Sequence, residues 1–411
     1  MTHGGDIDGE RLWASLMAMA AIGATPAGGV RRPALSDEDR RARDLLVRWL
    51  EEAGCAVRVD DLGNIYGRRP GADPGAPPVV VGSHLDTVPT GGKFDGALGV
   101  VAAVEVVRAL NDANQRTRHP LEVVNWTNEE GARFAPAMLA SGVVCGQFTR
   151  EDAYAARDSD GRGFGEELQR IGYRGEAAHR LGAAAAYLEL HVEQGPVLER
   201  AGAQIGVVEG VEGISWNHVE ITGAAAHAGP TPIGDRRDAL VAAARIIVAL
   251  RALADASPGV RTTVGHIDVS PNTINVIPGS VRLTADLRAR APDALDRAAG
   301  GLAEACAAAA RAERVEVQVT EFWRSPPTPF ASAVIEAVAA AAHTRGFATR
   351  RLWAGAGHDA KYMAERYPAG MIFVPSAGGI SHNEREWTAP EDCTRGAAVL
   401  LDAVRRLARP A

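Results

Sequence analysis

The sequence predicts an α/β fold: a main domain with a central mixed sheet flanked by helices, interrupted by an inserted domain of βαββαβ order. Three observations support this. Apolar, β-branched runs alternate with helical patterns as far as about Val211. From Ile214 the order becomes strand, helix, strand, strand, helix, strand, that of a split ferredoxin-like unit. After Pro326-Pro327-Thr328-Pro329 the first alternation resumes, and 411 residues exceed one ordinary core. The expected division is 1–212 and 328–411 for the main domain and 213–327 for the insertion.

An amphipathic stretch, Leu12 to Ile22, leads into Ser36 to Ala53, where a Ser-Asp-Glu start and Gly54 mark a capped helix. The run Val79-Val80-Val81 stops at Gly82 and delivers His84-Leu85-Asp86. Gly91-Gly92-Lys93-Phe94-Asp95-Gly96 follows, and Asp95 opens a helical pattern from Ala97 to Leu110. A strand from Leu121 to Trp126 ends in Thr127-Asn128-Glu129-Glu130-Gly131. The stretch Arg150 to His179, rich in glycine, arginine and acids, is expected to hold short helices near the site. Tyr187 to Leu190 runs into His191-Val192-Glu193-Gln194. The insertion reads as a strand at Ser215 to Thr222, a helix at Asp238 to Ala254, strands at Arg261 to Val269 and Ser280 to Ala289, a helix at Pro292 to Ala312 and a strand at Val315 to Thr320. Finally Met371 to Val374 precedes Gly378-Gly379-Ile380-Ser381-His382.

Composition narrows the classes. With 46% hydrophobic and 23% charged residues the chain can bury substantial cores, and a net charge of −7 argues against nucleic acid as main partner. Lysine occurs only at Lys93 and Lys361. Cys55, Cys145, Cys306 and Cys393 lack paired spacing, which suits a reducing compartment. No signal peptide is evident, and the strongest apolar run, Ala239 to Ala254, contains Arg245 and Arg251. The expectation is a soluble, cytoplasmic protein without a membrane partner.

His84, Asp95, Glu130, His191 and His382 are donors each placed close after an expected strand. Ligands of open α/β sheets sit outside the carboxyl ends of strands, so these positions can converge although remote in sequence. Each alone reads as a turn residue or a solvated acid; their conjunction, mostly beside glycines, points to metal. Imidazole and carboxylate without cysteine suit zinc best, and also manganese, cobalt or nickel. Five groups exceed the three usual for one catalytic zinc and suggest two divalent ions, with Asp95 as the shared carboxylate. The expected chemistry is two-metal hydrolysis.

Taken together, Gly82-Ser83-His84-Leu85-Asp86, Gly91 to Gly96, Asn128-Glu129-Glu130-Gly131, His191 to Gly195, Ala226-His227-Ala228-Gly229, Pro271 to Pro278 and Gly379 to Glu384 resemble the dinuclear-zinc amidohydrolases of the aminoacylase and carboxypeptidase clan. The branch is that of N-carbamoyl-L-amino-acid hydrolase, β-ureidopropionase and allantoate amidohydrolase, and the resemblance spans nearly the whole chain. It implies a zinc-exopeptidase-like catalytic domain and an inserted lid and dimerisation domain. It implies that His84 and His191 hold one ion, Glu130 and His382 the other, and that Asp95 bridges. Glu129 would be the general base, moving a proton from water to the leaving nitrogen. Asp86 looks like the carboxylate that orients the imidazole of His84.

The resemblance also implies that Arg288 and Asn275 hold a substrate carboxylate, that His227 polarises the scissile carbonyl and that Gln194 contacts the substrate. The residue matching His227 reaches the partner subunit's site in this family, which implies a homodimer. The glycines of Ala354-Gly355-Ala356-Gly357, Gly357 among them, would bring backbone amides to the substrate, while His358 and Asp359 either share in this or orient the loop. The expected substrate is a small molecule with a carboxylate and a ureido or amide group, first an N-carbamoyl-L-amino acid; N-carbamoyl-β-alanine, allantoate, ureidoglycolate and N-acyl amino acids are alternatives. A metal-holding paralogue without catalysis is the non-enzymatic alternative, and the intact Glu129 argues against it.

Overall fold

The computed structural model describes residues 6–409 and divides into two compact units, 1–210 with 329–411, and 211–328. The first is built on a nine-stranded mixed sheet. Its spatial order is Ala56–Val59, Ile65–Arg69, Leu121–Trp126, Val79–His84, Ala186–Val192, Ala369–Val374, Ile205–Val211 and Thr328–Pro329, with Thr349–Ala354 also paired to Ile205–Val211. The four middle strands, from Leu121–Trp126 to Ala369–Val374, are mutually parallel, and the strands on either side of them run antiparallel. All four are buried along their whole length, which explains their continuous apolar runs: helices cover both faces of a parallel sheet.

Parallel strands end at the same edge. The ends of these strands and the segments that follow Trp126, His84, Val192 and Val374 therefore lie side by side, and together they carry the five expected donors save Asp95. Two of the donors sit slightly earlier than expected: His84 is the last residue of its strand and His191 the last but one. Gly82 permits the tight pairing beneath, because a Cβ there would lie 1.9 Å from the Val124 carbonyl oxygen.

Helix Ala97–Asp112 packs its apolar surface on the sheet, with Glu105 buried against Arg11 at 2.7 Å. Helix Asp37–Glu52 begins at Ser36, whose hydroxyl accepts from the Asp39 amide, and is followed by Gly54 at φ 78°. Its buried Arg43 pairs with Asp39 at 2.8 Å and donates to the Gly63 carbonyl and the Thr127 hydroxyl, bracing the loop that carries Glu129. The 150–179 stretch forms short helices at Arg150–Ala155, Phe164–Arg170 and Ala177–His179.

The second unit has a four-stranded antiparallel sheet in the order Glu316–Ser325, Gly213–Thr222, Ser280–Ala289, Val260–Ser270, which is fourth, first, third, second strand. Helices Ala239–Ala256 and Pro292–Glu313 contribute Ile246, Leu250, Leu295 and Leu302 to its core against Val219, Ile221, Leu283 and Leu287. Asp238 caps the first of them by accepting from the Leu240 and Val241 amides. The last strand runs five residues beyond its expected end because register shifts between Glu321 and Trp323, and a bulge breaks the two-residue alternation on which the expectation rests. Among the described residues no helix is long and apolar enough to cross a membrane.

Candidate metal centre

The five donors meet around one carboxylate. Asp95 lies just before helix Ala97–Asp112; its Oδ1 is 3.6 Å from His84 Nε2 and 3.2 Å from His191 Nε2. Its Oδ2 is 3.5 Å from His382 Nε2, which is 3.3 Å from Glu130 Oε2. Two donor triplets result, His84 with Asp95 and His191, and Asp95 with Glu130 and His382, each with ligand atoms within 4.8 Å of one another. Glu129 turns its Oε2 to within 3.5 Å of His84 Nε2.

The rings are held from behind. His84 Nδ1 lies 2.9 Å from the Asp86 carbonyl oxygen and His191 Nδ1 2.9 Å from that of Val192, so each Nε2 is aimed at Asp95. The expectation that the Asp86 carboxylate orients His84 is thereby corrected: its Oδ1 is 4.0 Å from that ring, and the carboxylate instead accepts from the amides of Glu129 at 3.2 Å and Glu130 at 3.3 Å. A carboxylate adjacent to two free N–H groups of a turn satisfies them, while the carbonyl is left for the imidazole.

Charge supports a cation. Burial pushes the carboxyls of Glu129 and Glu130 well above their ordinary range, with Asp359 adding to the effect at Glu129 and Asp95 at Glu130. Burial also pulls His84 down to about 4. His191 is raised to about 9: burial pulls it down, but the hydrogen bond and charge of Asp95, with the charge of Glu189 and the Val192 carbonyl, together outweigh burial. Buried carboxylates at this density are costly unless positive charge joins them, and a cation held here would require His191 in its unprotonated form. The nitrogen and oxygen donors fit divalent zinc or its borderline neighbours.

Further groups surround the donors. Gln194, at φ 58°, donates from Nε2 to Asp95 Oδ2 at 2.8 Å, while its Oε1 is buried without a hydrogen-bond partner. Gly357 is half-buried beside Met138. His358 is buried with its ring 4.4 Å from that of His191, and Asp359 accepts from Ser141. Glu189, to which the sequence reading assigns no role, accepts from Ser83, Tyr187 and the Ala360 amide beneath the site. The available signal is an acid two residues before His191, on the same face of an otherwise apolar strand. Ser381 and Glu386 were likewise unassigned.

In the inserted unit the structure brings His227 and Asn275 together: His227 pairs with Val276, and the Ala228 amide donates to the Asn275 carbonyl at 3.0 Å. His227 is exposed, and its Nδ1 accepts from the Gly229 amide at 3.1 Å, which leaves the proton of the neutral ring on Nε2. The half-buried Arg288 guanidinium lies on Asp286 at 2.7 Å.

The chain is similar to known proteins along nearly its whole length. The chain is 45% identical over 399 residues to an N-carbamoyl-L-amino-acid amidohydrolase of Rhizobium meliloti, covering 97% of this chain and 96% of that one. It is 41% identical over 407 residues to an N-carbamoyl-L-amino acid amidohydrolase of Geobacillus stearothermophilus, covering 98% and 99%. The crystal structure of an amidase of the hydantoinase/carbamoylase family from Burkholderia multivorans superposes with a TM-score of 0.96 at 48% identity, covering both chains completely. A family description matches residues 80–406, and the chain belongs to peptidase family M20/M25/M40.

Proposed function

We propose that the chain is a dinuclear-metal amidohydrolase that converts an N-carbamoyl-L-amino acid and water to the amino acid, ammonia and carbon dioxide. The observation that carries this reading is the pair of donor triplets sharing Asp95, with the carboxylate of Glu129 beside them; the likeness to the two carbamoyl amidohydrolases supplies the substrate class.

His84, His191 and Asp95 would hold one cation, and Asp95, Glu130 and His382 the other. When bound, the cations supply Lewis acidity toward a water and the scissile carbonyl. Zinc is the proposed metal. Glu129 takes a proton from the attacking water and returns it to the leaving nitrogen; its raised pKa suits a group that must both accept and release. Asp86 keeps Glu129 and Glu130 in place through their amides. Arg288 and Asn275 bind the substrate carboxylate, a task for which a planar guanidinium is suited. The Nε2–H of His227 stabilises charge developing on the carbonyl oxygen. Gln194 and the Gly357 loop complete the substrate contacts.

The inserted unit is proposed to act as lid and dimerisation domain, a second copy supplying His227. Two features support dimerisation: Val260–Ser270 is a sheet edge, and helix Ala239–Ala256 exposes Leu240, Val241 and Val248, the last at 69%. The four free cysteines support a reducing, cytoplasmic setting.

The test is turnover by zinc-loaded and manganese-loaded protein, read as ammonia release from carbamoyl-L-amino acids, carbamoyl-β-alanine and allantoate and as acetate release from acetyl amino acids. Turnover should favour a carbamoyl-L-amino acid; none with any carbamoyl compound refutes the reading. Mixing inactive H227A and E129Q subunits should restore part of the activity, and no restoration argues against sharing across a dimer.

A further inference from the structure

Glu386 has no place in the reaction just described, yet it is almost completely buried at the edge of the site. One of its oxygens, Oε1, accepts from the Phe94 amide at 2.9 Å and from the Asp95 amide at 3.1 Å. The other, Oε2, lies 3.4 Å from the Ser381 hydroxyl, which is itself 3.1 Å from Asp95 Oδ2. The glycine at 92 is what lets the loop close over this carboxylate, since a Cβ there would sit 2.1 Å from Oε1. Trp13, Phe94 and Trp387 form a ring cluster beside it with centroids 5.6–5.7 Å apart, so the loop and the segment after His382 also pack on each other.

These contacts join two segments nearly 300 residues apart in the chain. Glu386 and Ser381 flank His382; Phe94 and Asp95 carry the shared carboxylate. Two backbone amides on one carboxylate fix the direction of the peptide at Asp95, and the Ser381 hydroxyl fixes the carboxylate's second oxygen, the one facing His382. By contrast, His84 and His191 are anchored by the carbonyls of Asp86 and Val192, without help from Glu386.

We infer that Glu386, acting with Ser381, is a positioning residue that assembles the donor triplet of Asp95, Glu130 and His382 by locking the Asp95 loop to the His382 loop, while the triplet of His84, His191 and the shared Asp95 keeps two donors anchored without it and depends on it less. This rests on the dinuclear reading above. Removing groups that hold metal ligands in place typically weakens metal affinity by about 10–100-fold, and here the larger loss should fall on the ion of the Asp95, Glu130 and His382 triplet.

The experiment counts metal. Full-length parent, E386A, E386Q and S381A proteins are stripped with chelator and titrated with zinc against a chromophoric competitor, with elemental analysis of the product and circular dichroism to confirm the fold. The parent should bind two zinc ions. E386A should lose about tenfold or more on one ion and clearly less on the other; E386Q, which retains one acceptor, should lose less, and S381A should weaken the same ion. Should E386A fail to fold, E386Q and S381A decide alone. Two ions at parental affinity in the folded variants, or equal weakening of both, overturns the positioning role. Fewer than two ions in the parent instead overturns the dinuclear reading beneath it.

Discussion

Burial and the neighbouring carboxylates of Asp359 and Glu130 favour the neutral form of Glu129, whose Oε2 lies 3.5 Å from His84 Nε2. A group so placed exchanges protons readily, whereas its amide analogue cannot. The variant E129Q should therefore bind zinc as the parent does and lose about 10²–10⁴-fold in kcat, checked by metal analysis alongside single-substrate kinetics; undiminished turnover would remove Glu129 from the proton path. Much of this centre can be read in the sequence because each donor follows an apolar run and sits near a glycine. What cannot be read is which atom does the holding. Asp86 serves His84 through its carbonyl because its carboxylate is taken by amides 43 and 44 residues away, and Glu386 reaches amides 291 and 292 residues away; neither choice has a local pattern, since both depend on how distant loops meet.

At the level of strands and helices, close packing separates glycines that matter from those that do not. Gly82 faces the Val124 carbonyl, and the variant G82A must displace one of two buried strands, at a cost of about 3 kcal/mol. Gly300, exposed in helix Pro292–Glu313 with no atom near its missing Cβ, should gain roughly 0.5–1 kcal/mol as G300A. Thermal midpoints that move in opposite directions are expected; equal shifts would contradict the packing account. The same contrast explains which elements are legible. Val79–His84 and Leu121–Trp126 are buried on both faces and announce themselves by composition, whereas the two-residue pairing of Ala226–His227 with Val276–Ile277 is too short to leave a period. The bulge at Glu321 and Trp323 likewise hides the end of its strand.

The molecule as a whole carries an electrostatic load that metal should relieve. Burial raises Asp60 to about 6; burial together with Asp39 raises Asp86 to about 7, and together with Asp95 raises Glu386 to about 7. A carboxyl whose folded pKa exceeds its unfolded value contributes stability below the unfolded value and loses it as pH rises through the folded one. His84, lowered to about 4, and His358, also lowered, work in the opposite sense over part of this range, but the raised carboxyls, Glu129 and Glu130 among them, outnumber the two imidazoles. Metal-stripped protein should thus lose thermal stability from about pH 4 to pH 7, and zinc should flatten that slope; a stripped midpoint that climbs with pH would refute the ledger of charges. The two-part architecture was visible in the change of element order near Ile214 and the prolines at 326–329, because each unit has its own periodic grammar. The strand Ile205–Val211, by which the chain departs, lies next to Thr328–Pro329, by which it returns, and the Phe330 amide donates to the Glu209 carbonyl at 2.9 Å. Excising the intervening hundred-odd residues would accordingly need only a short hairpin to seal the gap, which makes this sheet a ready chassis onto which foreign modules can be spliced.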